Sequence, residues 1–408
     1  MTDTAKTFGG AIDRLIAGQD LSSGETLDLF TQVLEDRQSP IHQGALLAAI
    51  TAKGPCPEEI AGAWEAIYRT DTAKTVPASA SALVDNCGTG MDSFKTFNIS
   101  TAAAIVAASG GVCLARHGAR AITSGCGTVD LCEALGVDVD CPVETVTASI
   151  ETAGIGLFNG MSPEVHPKAL FRILSQMRFG SILNIAASLA NPARPTLGVR
   201  GVYHRDMVDP VARTMRAIGY RRALVFHGDG NGAGGMDELS ALGTSWVAEL
   251  TADGTIANYR ITPEALGLER AASRDIAAGT GPQQEALRLI GLLTGNAARG
   301  LHDAVCLNAA AVLYIGGQTP TLGQGVNLAR EIIASGQAME KLREWVRTQN
   351  RDSRHGEKQL QRLVDQAGGS QPGRAGTKVS CSGSGSVSID TLDFDPDTDT
   401  DPDGLRKM

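Results

Sequence analysis

The chain has 408 residues, a formal net charge of −9, 42% hydrophobic residues and only 4% aromatic ones. That length suggests two or three domains with a large core, and the acidic balance argues against a general nucleic-acid or anionic-membrane binder. No apolar run is long enough to span a bilayer, so no membrane segment is expected.

From about Ala11 to Arg69 the pattern is helical throughout. Ala11-Ile-Asp-Arg-Leu-Ile-Ala has apolar residues at helical spacing, and Asp20-Leu-Ser-Ser-Gly-Glu carries capping residues before the run from Leu27 to Leu34. Gly44-Ala-Leu-Leu-Ala-Ala-Ile suits a tightly packed helix, and Pro57-Glu-Glu-Ile opens another with Pro and acids in its first turn. After Pro77 the character changes. Short strands are expected at Leu83–Cys87, Val112–Ala115, Gly198–Tyr203 and Arg222–His227, with helices at Ser100–Ala108, Asp130–Leu135 and Val208–Ile218. Trp246–Leu250 and Ile256–Ile261 read as a hairpin around Asp253-Gly254. Helices at Gln283–Leu293, Asp303–Tyr314 and Gly325–Trp345 close the chain's ordered part. Strands alternating with helices define an α/β fold with a mainly parallel central sheet, preceded by a small helical domain. Gln359–Val364 reads as a short further helix, and from Gly368 the Gly, Ser and Asp-Pro composition predicts disorder.

The eight cysteines form no Cys-x-x-Cys pair and no zinc spacing with His. Most lie in apolar runs and are expected to be reduced and buried. No basic-then-apolar leader precedes the first helix, so a cytoplasmic location is expected.

Three constellations carry chemistry. Gly88-Thr89-Gly90-Met91-Asp92 follows a strand and runs into Asn98, Ser100 and Thr101 at a helix start. Glycines allow backbone N–H groups to approach phosphate oxygens, and the helix N-terminus adds a favourable field. The plainer alternative is an N-cap alone. Arg116-His117-Gly118-Ala119-Arg120 follows the strand at Val112 and falls at the ligand side of an open α/β sheet; a solvated charge cluster is the alternative. Asp237-Glu238 on a Gly-rich loop after His227 is a plausible Mg²⁺ holder, because Mg²⁺ takes one or two carboxylates together with phosphate oxygens and water. Adjacent acids are also common on surfaces.

Taken together with Asn191-Pro192-Ala-Arg-Pro, Thr244-x-x-Val-Ala-Glu-Leu and Asp303-Ala-Val-x-Leu-Asn, these motifs resemble the anthranilate phosphoribosyltransferases over roughly residues 8–348. The resemblance implies a helical domain of residues 1–76 plus about 164–190, an α/β domain of 77–163 and 191–348, and a tail of 349–408. It implies a homodimer formed through the helical part, with no nucleic-acid or membrane partner. It further implies that Gly88, Thr89, Gly90, Asp92, Asn98, Ser100, Thr101 and Arg116 hold phosphoribosyl diphosphate. Ser100 would touch one Mg²⁺, and Asp237 and Glu238 the other. The reaction displaces diphosphate from ribose C1 with an aromatic amine. Such an amine is already nucleophilic, so positioning and leaving-group neutralisation suffice and no general base is assigned. A non-catalytic binding protein on this fold and a nucleoside phosphorylase-like enzyme are the alternatives.

The departures from the family pattern gather at the site. Met91 and Ser93 replace glycines of Gly-Thr-Gly-Gly-Asp-Gly, Arg116 replaces a Lys, and Ala119 replaces an Asn. Gly180 stands where an Arg is expected to bind the acceptor carboxylate, and Ala187-Ser188 replaces Gly-Pro. Loss of such a charged hydrogen bond costs about 2–5 kcal/mol, which favours an acceptor other than anthranilate. Arg178 is the nearby substitute cation, and His166 and Asn159 are candidate lining residues of the acceptor pocket.

Overall fold

The computed structural model describes residues 3–78, 82–121, 125–177 and 179–369. The chain opens with four helices, α1 (Asp3–Ile16), α2 (Ser23–Leu34), α3 (Pro40–Lys53) and α4 (Pro57–Thr70). Their ends are fixed by local chemistry. Ser22 and Glu25 form a reciprocal capping box on α2, Ser39 caps α3 ahead of Pro40, and the Glu59 carboxylate accepts from Cys56 N–H at 2.9 Å at the start of α4. Glu59 is fully buried and is held by Leu21 N–H at 3.0 Å and Lys53 Nζ at 3.0 Å. Helices α2 and α4 pack so closely at Gly62 that an added Cβ would lie 2.8 Å from Thr26 Cβ.

The sheet follows: β1 (Val84–Gly88), α5 (Ile99–Ser109), β2 (Leu114–Gly118), α6 (Thr128–Ala134), α7 (Val143–Ala153) and β3 (Ile155–Asn159). The chain then adds α8 (Leu170–Gln176) and α9 (Ile182–Leu189), which share one hydrophobic core with the first four helices. Trp64 of α4 donates from its indole N–H to Leu189 O at 2.9 Å. The sheet resumes with β4 (Leu197–Gly201), α10 (Val208–Ala217), β5 (Arg222–Asp229), the two-residue β6 (Gly235–Met236), β7 (Ser245–Leu250) and β8 (Ile256–Ile261). Helices α11 (Ser273–Ile276), α12 (Pro282–Leu293), α13 (Arg299–Ile315), α14 (Leu322–Ala334), α15 (Gln337–Thr348) and α16 (Ser353–Gly369) complete it.

Strand order is β3-β2-β1-β4-β5-β7-β8, with β1 to β5 parallel and β7 and β8 antiparallel, while β6 pairs β5. After β1 the chain builds β2 and β3 on one side, then crosses to place β4 on the other. That reversal opens a crevice outside the carboxyl ends of the central strands, where open α/β sheets bind ligands. Helix α5 has the sequence Ile-Ser-Thr-Ala-Ala-Ala-Ile-Val-Ala-Ala-Ser and is buried along nearly all its length beneath the sheet, against α13 and α15. Small side chains allow that close stacking.

The small helical part, the larger α/β part with its mostly parallel sheet, and the closing helices are those the sequence pattern predicts. Strand β3 and helix α7 were not expected, and three further details differ. Strand β2 starts at Leu114 rather than Val112. The single helix expected over Gly325–Trp345 is two, α14 and α15, broken where Gly336 adopts φ 79°. Residues after 349 do not begin a detached tail: α16 buries Leu360 and Leu363 in the large core. The composition of 353–369 concealed this, because only a few apolar residues on one face make the contact. The acidic segment expected to be disordered lies outside the described residues.

Candidate active site

The crevice holds a cavity of about 650 Å³. Its floor is the loop leaving β1. Gly90 and Met91 both have left-handed backbones, with φ of 65° and 69°. For a residue with a side chain this conformation costs about 1–2 kcal/mol. Met91 nevertheless accepts φ > 0, the conformation a glycine at this position would adopt without strain. Thr89 bonds to the neighbouring strand, its N–H donating to Gly201 O at 3.0 Å and its hydroxyl accepting from Tyr203 N–H at 3.1 Å.

The acidic pair sits against this loop. Asp237 Oδ2 accepts from Gly90 N–H at 2.8 Å, and Glu238 Oε1 accepts from Ser100 N–H at 2.9 Å, in the first turn of α5. A Cβ on Gly88 would lie 2.6 Å from the Asp237 carboxyl carbon, so only glycine lets the acid reach the loop. Burial, and then the Asp92 charge, push the Asp237 carboxyl up to about 7. Burial and then Asp237 raise Glu238 well above the usual carboxylate range. Asp92 is paired with Lys95 Nζ at 2.7 Å. Asn98 donates from its backbone N–H to Glu285 Oε2 at 3.1 Å, anchoring the entry to α5.

Gly88, Thr89, Gly90, Asp92, Asn98, Ser100, Asp237 and Glu238 all line the cavity. Thr101 and Arg116 do not. Arg116 is buried behind the loop, donating from Nε to Asn86 Oδ1 at 2.8 Å, from Nη1 to the Thr101 hydroxyl at 3.1 Å and from Nη2 to the Ser100 hydroxyl at 3.4 Å. It braces Ser100 and Thr101 and offers no free face to a diphosphate. The planar guanidinium reaches these acceptors from three separate nitrogens, a spread that a lysine's single nitrogen cannot reproduce. Sequence position alone could not show that the side chain folds inward.

The cavity wall away from this loop includes His117, Gly118, Ala119, Gly160, Met161, Leu174, Phe179, Gly180, Leu183 and Ser188. His166 lies one layer back. Its Nδ1 is 2.6 Å from Asp71 O and its Nε2 is 3.2 Å from His117 Nε2. Burial lowers both imidazoles, His117 to about 3. Both are thus neutral. The short Asp71 contact calls for the His166 proton on Nδ1, while His117 Nδ1 faces Ser188 O at 3.3 Å, so these contacts leave the His117 tautomer open. Asn159 is turned away, its amide donating to Asp140 Oδ1 at 2.9 Å. Arg178 lies outside the described residues. Lys95 and Glu285 were not singled out in the sequence; the spacing of Lys95 three residues after Asp92 was the available signal for the first, while Glu285 comes from a distant helix and left none.

A glycine loop feeding a helix N-terminus, with Glu238 buried and Asp237 half-buried beside it, is an arrangement suited to a phosphate ester at the switch point of an α/β sheet. The family descriptions that match are "Glycosyl transferase family, helical bundle domain" over residues 10–70 and "Glycosyl transferase family, a/b domain" over residues 80–339. An anthranilate phosphoribosyltransferase of Haloarcula marismortui is 40% identical over 335 residues, covering 81% of this chain and 97% of the relative. One of Methanosarcina barkeri is 39% identical, covering 85% and 93%. The crystal structure of the Thermus thermophilus enzyme of that name superposes with a TM-score of 0.74 at 36% identity, covering 83% of this chain and 99% of that one. The chain belongs to the anthranilate phosphoribosyltransferase family of glycosyl transferases, and it is an enzyme. Neither a non-catalytic scaffold nor a phosphorylase finds support in these relatives.

Proposed function

We propose that this enzyme transfers the 5-phosphoribosyl group from phosphoribosyl diphosphate to the amino nitrogen of anthranilate with the help of Mg²⁺. The observation that carries the donor side is the Asp237–Glu238 pair seated on the Gly88–Ser100 loop. Two adjacent carboxylates with raised proton affinity, Glu238 buried and Asp237 half-buried, are stabilised by a bound divalent cation, and an all-oxygen set of Asp237, Glu238 and the Ser100 hydroxyl suits Mg²⁺. A yeast anthranilate phosphoribosyltransferase of the same fold has been solved in complex with PRPP and Mg. When bound, the ion would offset diphosphate charge.

The chain's own residues do the rest. Phosphate oxygens are received along the Gly88–Ser100 loop by backbone N–H groups not already held within the protein, as those of Thr89, Gly90, Asn98 and Ser100 are by Gly201, Asp237, Glu285 and Glu238, and Lys95 adds a cation. As the C1–O bond breaks, its electron pair leaves with diphosphate. The amine lone pair forms the C1–N bond, and the amine then loses a proton. Positioning supplies most of the effect. Neutral His117 and the apolar wall hold the acceptor ring.

The names of the relatives support anthranilate and give no support to a different acceptor. Gly180 is the observation that bears on how the acceptor is held. We further read the chain as a homodimer, supported by exposed Ile16, Ile41 and Phe171 on α1, α3 and α8; light scattering of the eluting species tests this. The central test is calorimetric binding of phosphoribosyl diphosphate with and without Mg²⁺, followed by loss of anthranilate fluorescence. Mg²⁺-dependent binding and turnover are expected. Absence of donor binding would end this reading.

A further inference from the structure

We propose that Ser93 is a positioning residue of the donor site: its hydroxyl clasps the backbone of Gly235 and so holds the Asp237–Glu238 segment on the Gly88–Ser100 loop ahead of metal and donor. This rests on the Mg²⁺-assisted transfer reading and deepens its donor side.

Both backbone groups of Gly235 are taken by two successive loop residues. Its N–H donates to the Ser93 hydroxyl at 2.9 Å, and its carbonyl accepts from Phe94 N–H at 3.0 Å. Two residues further on, Asp237 accepts from Gly90 N–H at 2.8 Å, and next to it Glu238 accepts from Ser100 N–H at 2.9 Å. The acid segment is thus stitched to the loop at four points, and of these four only the Ser93 stitch uses a loop side chain. The approach is close on both sides. A Cβ on Gly234 would lie 2.6 Å from Ser93 Oγ and 3.3 Å from Phe94 N, and one on Gly235 would lie 2.4 Å from His227 Nε2. Gly234 also adopts φ 115°, which glycine alone tolerates freely. Behind the clasp the sheet fixes the register. Gly228 pairs with Met236 and Asp229 with Gly235 across β5 and β6, and Gly230 N–H closes the hairpin on Gly234 O at 2.7 Å.

The stitches work against charge. Asp92, next to Ser93 in the loop, repels the Asp237 carboxylate, and Lys95 opposes that repulsion more weakly. Like charges so placed push the acid segment off the loop. A bound Mg²⁺ offsets the repulsion, so the clasp matters most when the ion is scarce. Ser93 therefore sets how much Mg²⁺ the donor site needs, rather than how tightly a metal-loaded site holds the donor. A glycine at 93 has no hydroxyl to accept the Gly235 N–H, so this departure from Gly-Thr-Gly-Gly-Asp-Gly adds a restraint to the loop.

The test titrates phosphoribosyl diphosphate into the full-length enzyme by calorimetry at a series of free Mg²⁺ concentrations. Ser93→Ala is expected to raise the Mg²⁺ concentration that gives half-maximal donor affinity by about three- to tenfold, the worth of one neutral hydrogen bond. At saturating Mg²⁺ its donor affinity should return to within about twofold of the wild type, because the ion then draws the acid segment back. Ser93→Gly restores the residue of the family pattern and should raise the Mg²⁺ requirement at least as far, since glycine also loosens the loop backbone. An unchanged Mg²⁺ requirement in Ser93→Ala would overturn the inference and leave the transfer reading standing. So would a loss of donor affinity that saturating Mg²⁺ does not repair, which would make the hydroxyl a direct donor contact. A wild type that binds no donor at any Mg²⁺ concentration, or binds it without needing the ion, would overturn both.

Discussion

Asp237 shows most directly how one side chain trades stability for chemistry. Its folded-state carboxyl is raised to about 7, chiefly by burial. A raised carboxyl favours the folded state fully below its unfolded value, and that contribution is lost as pH rises through about 7. The metal-free enzyme should therefore melt at a lower temperature at pH 8 than at pH 6, and Mg²⁺ should narrow the gap. Asp237→Asn keeps an acceptor for Gly90 N–H and removes the buried charge. Scanning calorimetry without metal at pH 8 should find the variant more stable by on the order of 2–4 kcal/mol, while its Mg²⁺-dependent donor binding is lost. A variant no more stable than wild type would show that the carboxylate is already balanced by its surroundings. At this scale the sequence was legible where a residue type and its chemistry coincide: the acids and the glycines fall in the cavity. It was misleading for Arg116, because whether a cation faces a ligand or the core depends on the hydroxyls and amides behind it. It was incomplete for Ser93, whose contact with Gly235 joins two segments no local pattern connects.

Elements were legible where periodicity or turn chemistry is strong. The Asp253-Gly254 hairpin, the capped α2 and the Pro-initiated α4 each carry their own signal. The missed break at Gly336 had a signal too, a Ser-Gly step inside an otherwise helical run, but glycine within a helix is ambiguous until its φ is known. Helix α16 was undervalued because its burial depends on a partner surface supplied by α12 and α15. It also serves α6, whose last carbonyls at Glu133 and Ala134 both accept from Gln359 Nε2 at 2.8 Å. Gly136 and Gly356 meet backbone to backbone, so no side chain fits at either. Thr128 at the start of α6, and Cys126 and Gly127 just before it, line the cavity. Leu360→Ala should cost about 2–4 kcal/mol in a denaturant titration. A cost below about 0.5 kcal/mol, the range of surface substitutions, would mean α16 is only draped on the surface.

For the whole molecule, the reversal between β1 and β4 places the site, and it also dictates that the helical layer is assembled from two separate stretches. Helices α1 to α4 share one hydrophobic core with α8 and α9, with α4 and α3 packed on α9, and the sequence of α8 and α9 comes after three strands of the sheet. A fragment of residues 1–76 should therefore lack cooperative thermal unfolding and should bind a hydrophobic dye, whereas the full chain unfolds cooperatively. A sharp transition in the fragment would show that the four helices are self-sufficient. The same arrangement sets a clock during synthesis. The indole of Trp64 finds its acceptor on Leu189, 125 residues later. At about 5–20 residues per second that partner emerges roughly 6–25 s after the tryptophan. Through that interval the nascent helices present an uncovered greasy face, and the growing chain is most exposed to aggregation well before its active site exists.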